Sequence, residues 1–328
     1  MKNIAFTICS NNYLAQAKVL SDSVFKNSKE SYDFYIILCD DISDVVNYDN
    51  FHATFVKAED LNIENFNWMI RNYNIIELNT AIKPFAFRYL ISSYNPDYIH
   101  YLDPDTCTYT SLTTIEEELE PDKCILLSPH SLSPIPQNLE FPTDTTFLTF
   151  GVYNLGFLGI RSCNEVNRMI EWWCGFLAEH CLDEPHLGYF VDQLPMTLAP
   201  CYFNHVKITK HKGINVAYWN FHERNLIWSK EKYYVNDNKT PLILFHFSSL
   251  DLCRPYTISK YYKGRPLEEM QVIKKIFHEY ISALTDADVN FYRGIECAYA
   301  KRPKKALLFI SNKILHIAFR VSKKLKRL

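Results

Sequence analysis

Two aspartates flanking a single proline, Asp103-Pro104-Asp105, are the residues of this chain best placed to do chemistry. They follow the apolar run YIHYL (98–102) with no turn residue between. In extended backbone, residues i and i+2 project to the same side, and Pro104 keeps Asp103 out of the α region. Two hard carboxylates then converge, a donor set suited to Mn²⁺ or Mg²⁺ shared with phosphate oxygens and water. An acidic pair at a loop tip is ordinarily just solvated. What argues for a metal here is the place, the carboxyl end of a strand, where open α/β sheets bind their ligands.

An absence sharpens this expectation. The first of the eight glycines is Gly151, so neither G-x-G-x-x-G nor G-x-x-x-x-G-K-[ST] occurs in the N-terminal half. The usual backbone cradle for phosphates is excluded there, and a bound diphosphate would need side chains and a metal to neutralise it. Further candidates are Asn154, Gly156 and Gly159 in YNLGFLGI. Glycines without Cβ would let a sugar approach the strand, and Asn154 would bond a sugar hydroxyl; the alternative is a bulge. His222, Glu223 and Arg224 sit beside aromatics in YWNFHER, a composition unlike a core segment. They suggest contact with an acceptor or phosphate, with Trp219 either stacking on a sugar or packing in the core.

The elements that must carry these residues read as α/β. Ile4–Ile8 is a buried strand ended by Ser10-Asn11-Asn12, and 13–27 has helical spacing through Leu14, Ala17, Leu20 and Val24. Phe34–Leu38 is a second strand and Phe51–Val56 a weaker third. Strand, helix, strand in this order predicts a mostly parallel, Rossmann-like sheet. Helices are expected over 78–94, with Pro84 in the first turn, over 164–180 and over 265–284; strands over 98–102, 152–160 and 242–247; and a loop over 128–148.

Taken together, the blocks IAFTICSNNYLAQAKVLSDSV, TAIKPFAFRYL, YLDPDT, YNLGFLGI, VDQLP, NVAYWNFHER and LFHFSSLD resemble, in order, those of GT-A fold glycosyltransferases. Within these they are similar to bacterial transferases related to glycosyltransferase family 8, over roughly residues 1–265. The resemblance implies a nucleotide-sugar donor. Thr7, Cys9, Ser10, Asn11 and Asn12 would line its base and ribose pocket, and Lys83, Arg88 and Ser248 would face its phosphates. His246 in LFHFSS, by itself an ordinary core histidine, would be the third metal ligand beside Asp103 and Asp105. Asp192-Gln193 would lie near the reacting anomeric carbon, where Asp192 orients the sugar, stabilises positive charge or acts as base or nucleophile; a helix cap is the structural alternative. Retention of anomeric configuration, and a glycan or lipid-linked acceptor in bacterial surface polysaccharide or lipopolysaccharide assembly, are further implications. Two rivals are a sugar nucleotidyltransferase, which needs a Gly-rich first loop, and a non-catalytic carbohydrate-binding protein of the same fold.

Composition bounds the rest. The chain has 328 residues, 48% apolar and 22% charged, with aromatics at 15%. Its ten cysteines form no C-x-x-C and no block with zinc spacing, which predicts reduced thiols in the cytoplasm. No signal peptide or membrane-spanning run is legible. Residues 301–328 carry ten Lys/Arg and no acid, leaving 25 basic against 37 acidic side chains elsewhere, a net of −12. A body that acidic is a poor nucleic-acid binder. The division expected is a catalytic domain over 1–265, a helical extension over 266–300 and a basic amphipathic helix over 301–328. In that last helix Leu307, Ile310, Ile314, Ile317, Val321 and Leu325 oppose Lys305, Arg320, Lys323 and Arg327. This is the pattern of a helix lying on an anionic membrane surface, as a peripheral protein on the cytoplasmic face.

Overall fold

The computed structural model describes residues 3–254 and 257–300; the expected amphipathic helix at 301–328 lies outside the described residues. The strands are β1 (Asn3–Cys9), β2 (Tyr32–Leu38), β3 (Thr54–Lys57), β4 (Tyr98–Leu102), β5 (Thr106–Thr108), β6 (Ile125–Pro129), β7 (Tyr153–Arg161), β8 (Asp183–Glu184), β9 (Tyr189–Phe190), β10 (Val206–Ile208), β11 (Leu226–Ser229), β12 (Lys232–Val235) and β13 (Leu244–His246). Seven of them form the central sheet in the order β10-β6-β7-β4-β1-β2-β3. β7 runs antiparallel to β4 and β6, and every other neighbouring pair is parallel. The sheet is thus mostly parallel and α/β, as the order of elements predicts.

Alternation along β1 sorts the two faces. Ile4, Phe6 and Ile8 join one core cluster, which also holds Phe87, Leu90, Met169 and Trp173. Ala5 and Cys9 join the other, with Leu14, Leu20, Phe277 and Leu284. The helices behind these layers are α1 (Leu14–Ser28), α2 (Phe66–Asn72), α3 (Ile75–Ala81), α4 (Lys83–Tyr94), α5 (Thr113–Glu116), α6 (Asp144–Phe150), α7 (Asn164–His180), α8 (Ala199–Tyr202), α9 (Gln271–Asp286) and α10 (Val289–Arg293). α9 and α10 pack on α1, and Ala298 N donates to Asp40 Oδ1 at 2.7 Å, fastening the C-terminal segment to the turn after β2.

Three local readings are corrected. The helix expected over 78–94 is two helices meeting at Ile82. Pro84 has no N–H for the Thr80 carbonyl, and Asn74 starts α3 earlier with a capping box to Glu77. The loop expected over 128–148 ends in α6, capped by Thr143. The helix expected over 265–284 begins only at Gln271.

One buried histidine gives the fold a predictable acid response. His100 on β4 is fully buried, with Nε2 2.8 Å from Tyr32 Oη, which in turn donates to Glu116 Oε1 at 2.7 Å. Burial pulls the His100 imidazole down to about 3 from 6.5. Between those values the unfolded chain binds a proton that the folded chain refuses. Stability is therefore lost as pH falls below the unfolded value, with a slope of about 1.4 kcal/mol per pH unit from this residue. Urea unfolding of wild type and His100→Asn between pH 7 and pH 4 measures it. The variant's stability should fall less steeply, by about one proton, and parallel curves would contradict the assignment.

Candidate active site

β4 delivers the acidic pair and β13 delivers the histidine. Asp103 N donates to Gly156 O at 2.8 Å on β7, and Thr106 N returns to Asp103 O at 3.0 Å, closing a tight turn around Pro104. β13 then pairs with β5 so that His246 stands opposite Thr106, and Phe247 N donates to Asp105 O at 2.8 Å. His246 Nε2 lies 3.1 Å from Asp105 Oδ1 and 3.8 Å from Asp103 Oδ2. One ligand atom from each of the three side chains falls within a 4.8 Å group. Burial pulls the imidazole down, but Asp105 and then Asp103 outweigh it and leave it above its usual value. Two carboxylates facing one imidazole call for a positive charge between them. Tyr101, which sequence reasoning missed, donates to Asp103 Oδ1 at 2.6 Å and fixes that carboxylate.

Behind His246 runs a buried chain of amides. Asn215 Oδ1 lies 3.2 Å from His246 Nδ1, and Asn215 Nδ2 donates to Asn154 Oδ1 at 2.9 Å. Asn154 also accepts from Gly156 N at 3.1 Å and donates to Gln193 Oε1 at 3.2 Å, while Gln193 Nε2 donates to Phe150 O at 2.6 Å. Asn154 is thus committed to protein partners and is corrected from sugar contact to support. Gly156 is corrected too. A Cβ there would lie 2.5 Å from His246 Cε1, so the glycine makes room for the His246 imidazole. A Cβ on Gly159 would sit 3.1 Å from Phe157 Cζ and 3.3 Å from Leu126 Cβ, which is core packing.

The YWNFHER block packs behind this chain of amides. Trp219 is 5% exposed and packs edge-on against His246 at 5.2 Å between ring centres, so it is core. Arg224 is 2% exposed and donates to Ile214 O at 2.6 Å and Asn215 O at 3.4 Å. Burial lowers it to about 10, still charged at neutral pH. Glu223 accepts from Leu132 N at 3.0 Å and Ser133 Oγ at 2.7 Å. The His222 Nε2 lies 3.1 Å from Ser131 Oγ. Dense charge in this block holds backbone that carries Asn215 and the 131–133 loop.

Lys83 and Arg88 do not act together. Five residues apart on a helix, they point about 140° from each other. Arg88 pairs with Glu171 on α7 at 3.4 Å, which corrects its assignment to the phosphates. Lys83 is 1% exposed, donates to Asp192 Oδ2 and to Leu155 O at 2.9 Å, sits over the Tyr101 ring at 4.0 Å and reaches Asp103 Oδ1 at 4.0 Å. Its partner here is Asp192 rather than a phosphate. Burial, resisted by Lys83, holds the Asp192 carboxyl above the usual range. Val191 just before it has φ +37°, a strained conformation for a β-branched residue; such strain gathers at functional turns.

The aspartates open onto a cavity of about 390 Å³ lined by Ile8, Cys9, Ser10, Asn12, Tyr13, Ile75, Ile76, Asn79, Thr80, Tyr101 and the Asp103–Asp105 turn. Cys9, Ser10 and Asn12 are at its wall. Thr7 is not: alternation along β1 turns it toward α1, fully buried. Asn11 is a tie, corrected from pocket lining: its N–H donates to Asp40 Oδ2 at 3.1 Å and its Oδ1 accepts from Tyr48 at 2.7 Å. Ser248 is half-buried two residues past His246 and outside this lining. Asn79 was missed; it donates to Ser10 Oγ at 3.1 Å while its buried Oδ1 is without a partner among the described residues.

The sequence matches no protein-family model and no curated protein. Among solved structures the fold is similar to that of the galactosyltransferase LgtC, determined with donor and acceptor sugar analogues. The TM-score is 0.51 at 16% identity, over 86% of this chain and 96% of that one. The glycosyltransferase GlyE of Streptococcus pneumoniae TIGR4 aligns at TM-score 0.49 and 12% identity, over 89% of this chain and 64% of that one. The fold is that of the GT-A glycosyltransferases.

Proposed function

We propose that this chain transfers a sugar from a nucleoside diphosphate sugar to an acceptor, with Asp103, Asp105 and His246 holding one divalent cation. The observation that carries the reading is electrostatic. Among the described residues, the cavity beside the three ligands is walled by two carboxylates and has no Lys or Arg in its lining, so a diphosphate would be repelled there unless a cation came between. The residues fit such an ion: two oxygen donors and one imidazole suit Mn²⁺, or Mg²⁺, Gly156 leaves the imidazole its space, and Asn215 orients it. When bound, the metal would neutralise charge on the departing diphosphate.

The chain's own residues do the rest in this reading. Ile75, Ile76 and Tyr13 enclose an apolar base, while Ser10, Asn12 and Asn79 offer polar contacts to base and ribose. Tyr101 fixes the Asp103 carboxylate. Lys83, bonded to Asp192 and 4.0 Å from Asp103, positions both carboxylates. Asp192 faces the sugar and stabilises positive charge at its anomeric centre; Gln193, held by Asn154 and Phe150, keeps that turn in place. Retention of configuration belongs to this reading and rests on the resemblance at VDQLP. Turnover of a panel of nucleotide sugars with Mn²⁺ and with EDTA tests it. Slow hydrolysis of one donor, dependent on Mn²⁺, is expected; no metal-dependent turnover of any donor would count against it.

A glycan or lipid-linked acceptor, and residence on the cytoplasmic face of a membrane, complete the proposal. No described helix is long and apolar enough to cross a membrane. The basic amphipathic pattern of 301–328 supports attachment to anionic lipid, worth roughly 1 kcal/mol per nearby cation. Co-sedimentation with anionic vesicles should be lost on removing 301–328, and equal pelleting of both chains would remove the membrane role.

A further inference from the structure

Three elements that meet at the far end of the sheet bring together residues no local spacing connects. Cys124 immediately precedes β6, Cys163 follows β7 and caps the start of α7, and His205 immediately precedes β10. The backbone holds them in register: Ile125 N donates to His205 O at 3.0 Å and Arg161 N to Cys124 O at 2.9 Å. One ligand atom from each falls within a 4.8 Å group, Cys124 buried and the other two half-buried. Cys163 Sγ lies 4.0 Å from His205 Nδ1.

We propose that Cys124, Cys163 and His205 form a second metal site, for a thiophilic divalent cation of the zinc type, separate from the acidic site. Two thiolates and an imidazole are soft and borderline donors that select zinc over manganese or magnesium. A tetrahedral ion about 2.3 Å from sulfur and about 2.0 Å from nitrogen spaces its ligands roughly 3.5–3.8 Å apart, so small side-chain rotations close the cluster. Water would take the fourth position, on the half-exposed side. Cys163 stands at the N-terminus of a 17-residue helix and makes no capping bond with its side chain. Binding M²⁺ releases the two thiol protons to solvent and forms two metal–sulfur bonds and one metal–nitrogen bond. β6 and β10 begin at this end while β4 ends at Asp103, so the site lies across the sheet from the acidic cluster. Its role is to staple the start of α7 to the β6–β10 edge.

The test uses the full chain, stripped with chelator and kept in a non-thiol reductant. Co²⁺ should give a sulfur-to-cobalt charge-transfer band of two-thiolate intensity, and Zn²⁺ should displace it and raise the melting temperature. Cys163→Ser and His205→Asn, both at half-exposed positions, should weaken Zn²⁺ binding by about 100-fold or more and lose the thermal rise. Asp105→Asn should retain both signals. The absence of a charge-transfer band, or one that survives in Cys163→Ser, would overturn the assignment. So would a Cys124–Cys163 disulfide in protein isolated without reductant.

Discussion

Asp105→Asn is expected to cut metal-dependent transfer by about 1,000-fold or more, since Lewis-acid stabilisation of a leaving group is worth several kcal/mol and each 1.36 kcal/mol is tenfold. The protein should stay folded. Asp105 is a half-buried strand-end residue, and asparagine can still bond His246, 3.1 Å away. In EDTA its melting point should match wild type within about 1 kcal/mol of stability. In Mn²⁺ the wild type should gain stability by mass action and the variant should not. Gly156→Ala should act on the same site from behind. Its Cβ would come 2.5 Å from His246 Cε1 and displace the ring, lowering metal affinity by about 10- to 100-fold. An Asp105→Asn enzyme with wild-type turnover in Mn²⁺ would refute the ligand set.

The largest effect on stability should come from Lys83→Met. Lys83 and Asp192 are 1% and 3% exposed and bonded to each other. Removing the ammonium leaves a buried carboxylate without its partner, which typically costs about 3–5 kcal/mol. At about 2.1 cal/mol/K of unfolding entropy per residue, a chain of 328 residues shifts by roughly 1.5 °C per kcal/mol, and the melting point should drop by about 4–8 °C. The double variant Lys83→Met, Asp192→Leu should recover most of that loss, because apolar pairs commonly replace buried ion pairs without penalty. It should not recover transfer, because the Asp192 carboxylate is then missing from the site. Thermal unfolding and donor turnover of the three proteins measure both claims. A single variant as stable as wild type, or an active double variant, would contradict them.

The same two sites mark what was legible in sequence. β1, β2 and β4 stood out because a strand buried on both faces is a continuous apolar run, and α7 because its face repeats at helical spacing over 164–180. The D-P-D turn was readable from its neighbours alone. The three-residue strands β5 and β10 were not, since pairing partners far along the chain define them. Side-chain roles failed for the same reason. Asn215 matters because of His246, 31 residues later, and Lys83 because of Asp192, 109 residues later. Gly156 was read correctly as a place of close approach and wrongly as to what approaches. Charge in YWNFHER resembled a surface site because sequence does not reveal that carbonyl groups wait to receive Arg224.

In the proposed mechanism Asp103, Asp105 and His246 bind one cation that a nucleoside diphosphate shares. A crystal of the full chain grown with Mn²⁺ and a nucleoside diphosphate, with data collected at the manganese edge, addresses it directly. An anomalous peak bonded to all three side chains and to diphosphate oxygens is expected, with the base in the cavity walled by Ile75, Ile76 and Tyr13. A nucleotide bound in that cavity with no manganese on the three side chains, or manganese held elsewhere, would contradict it.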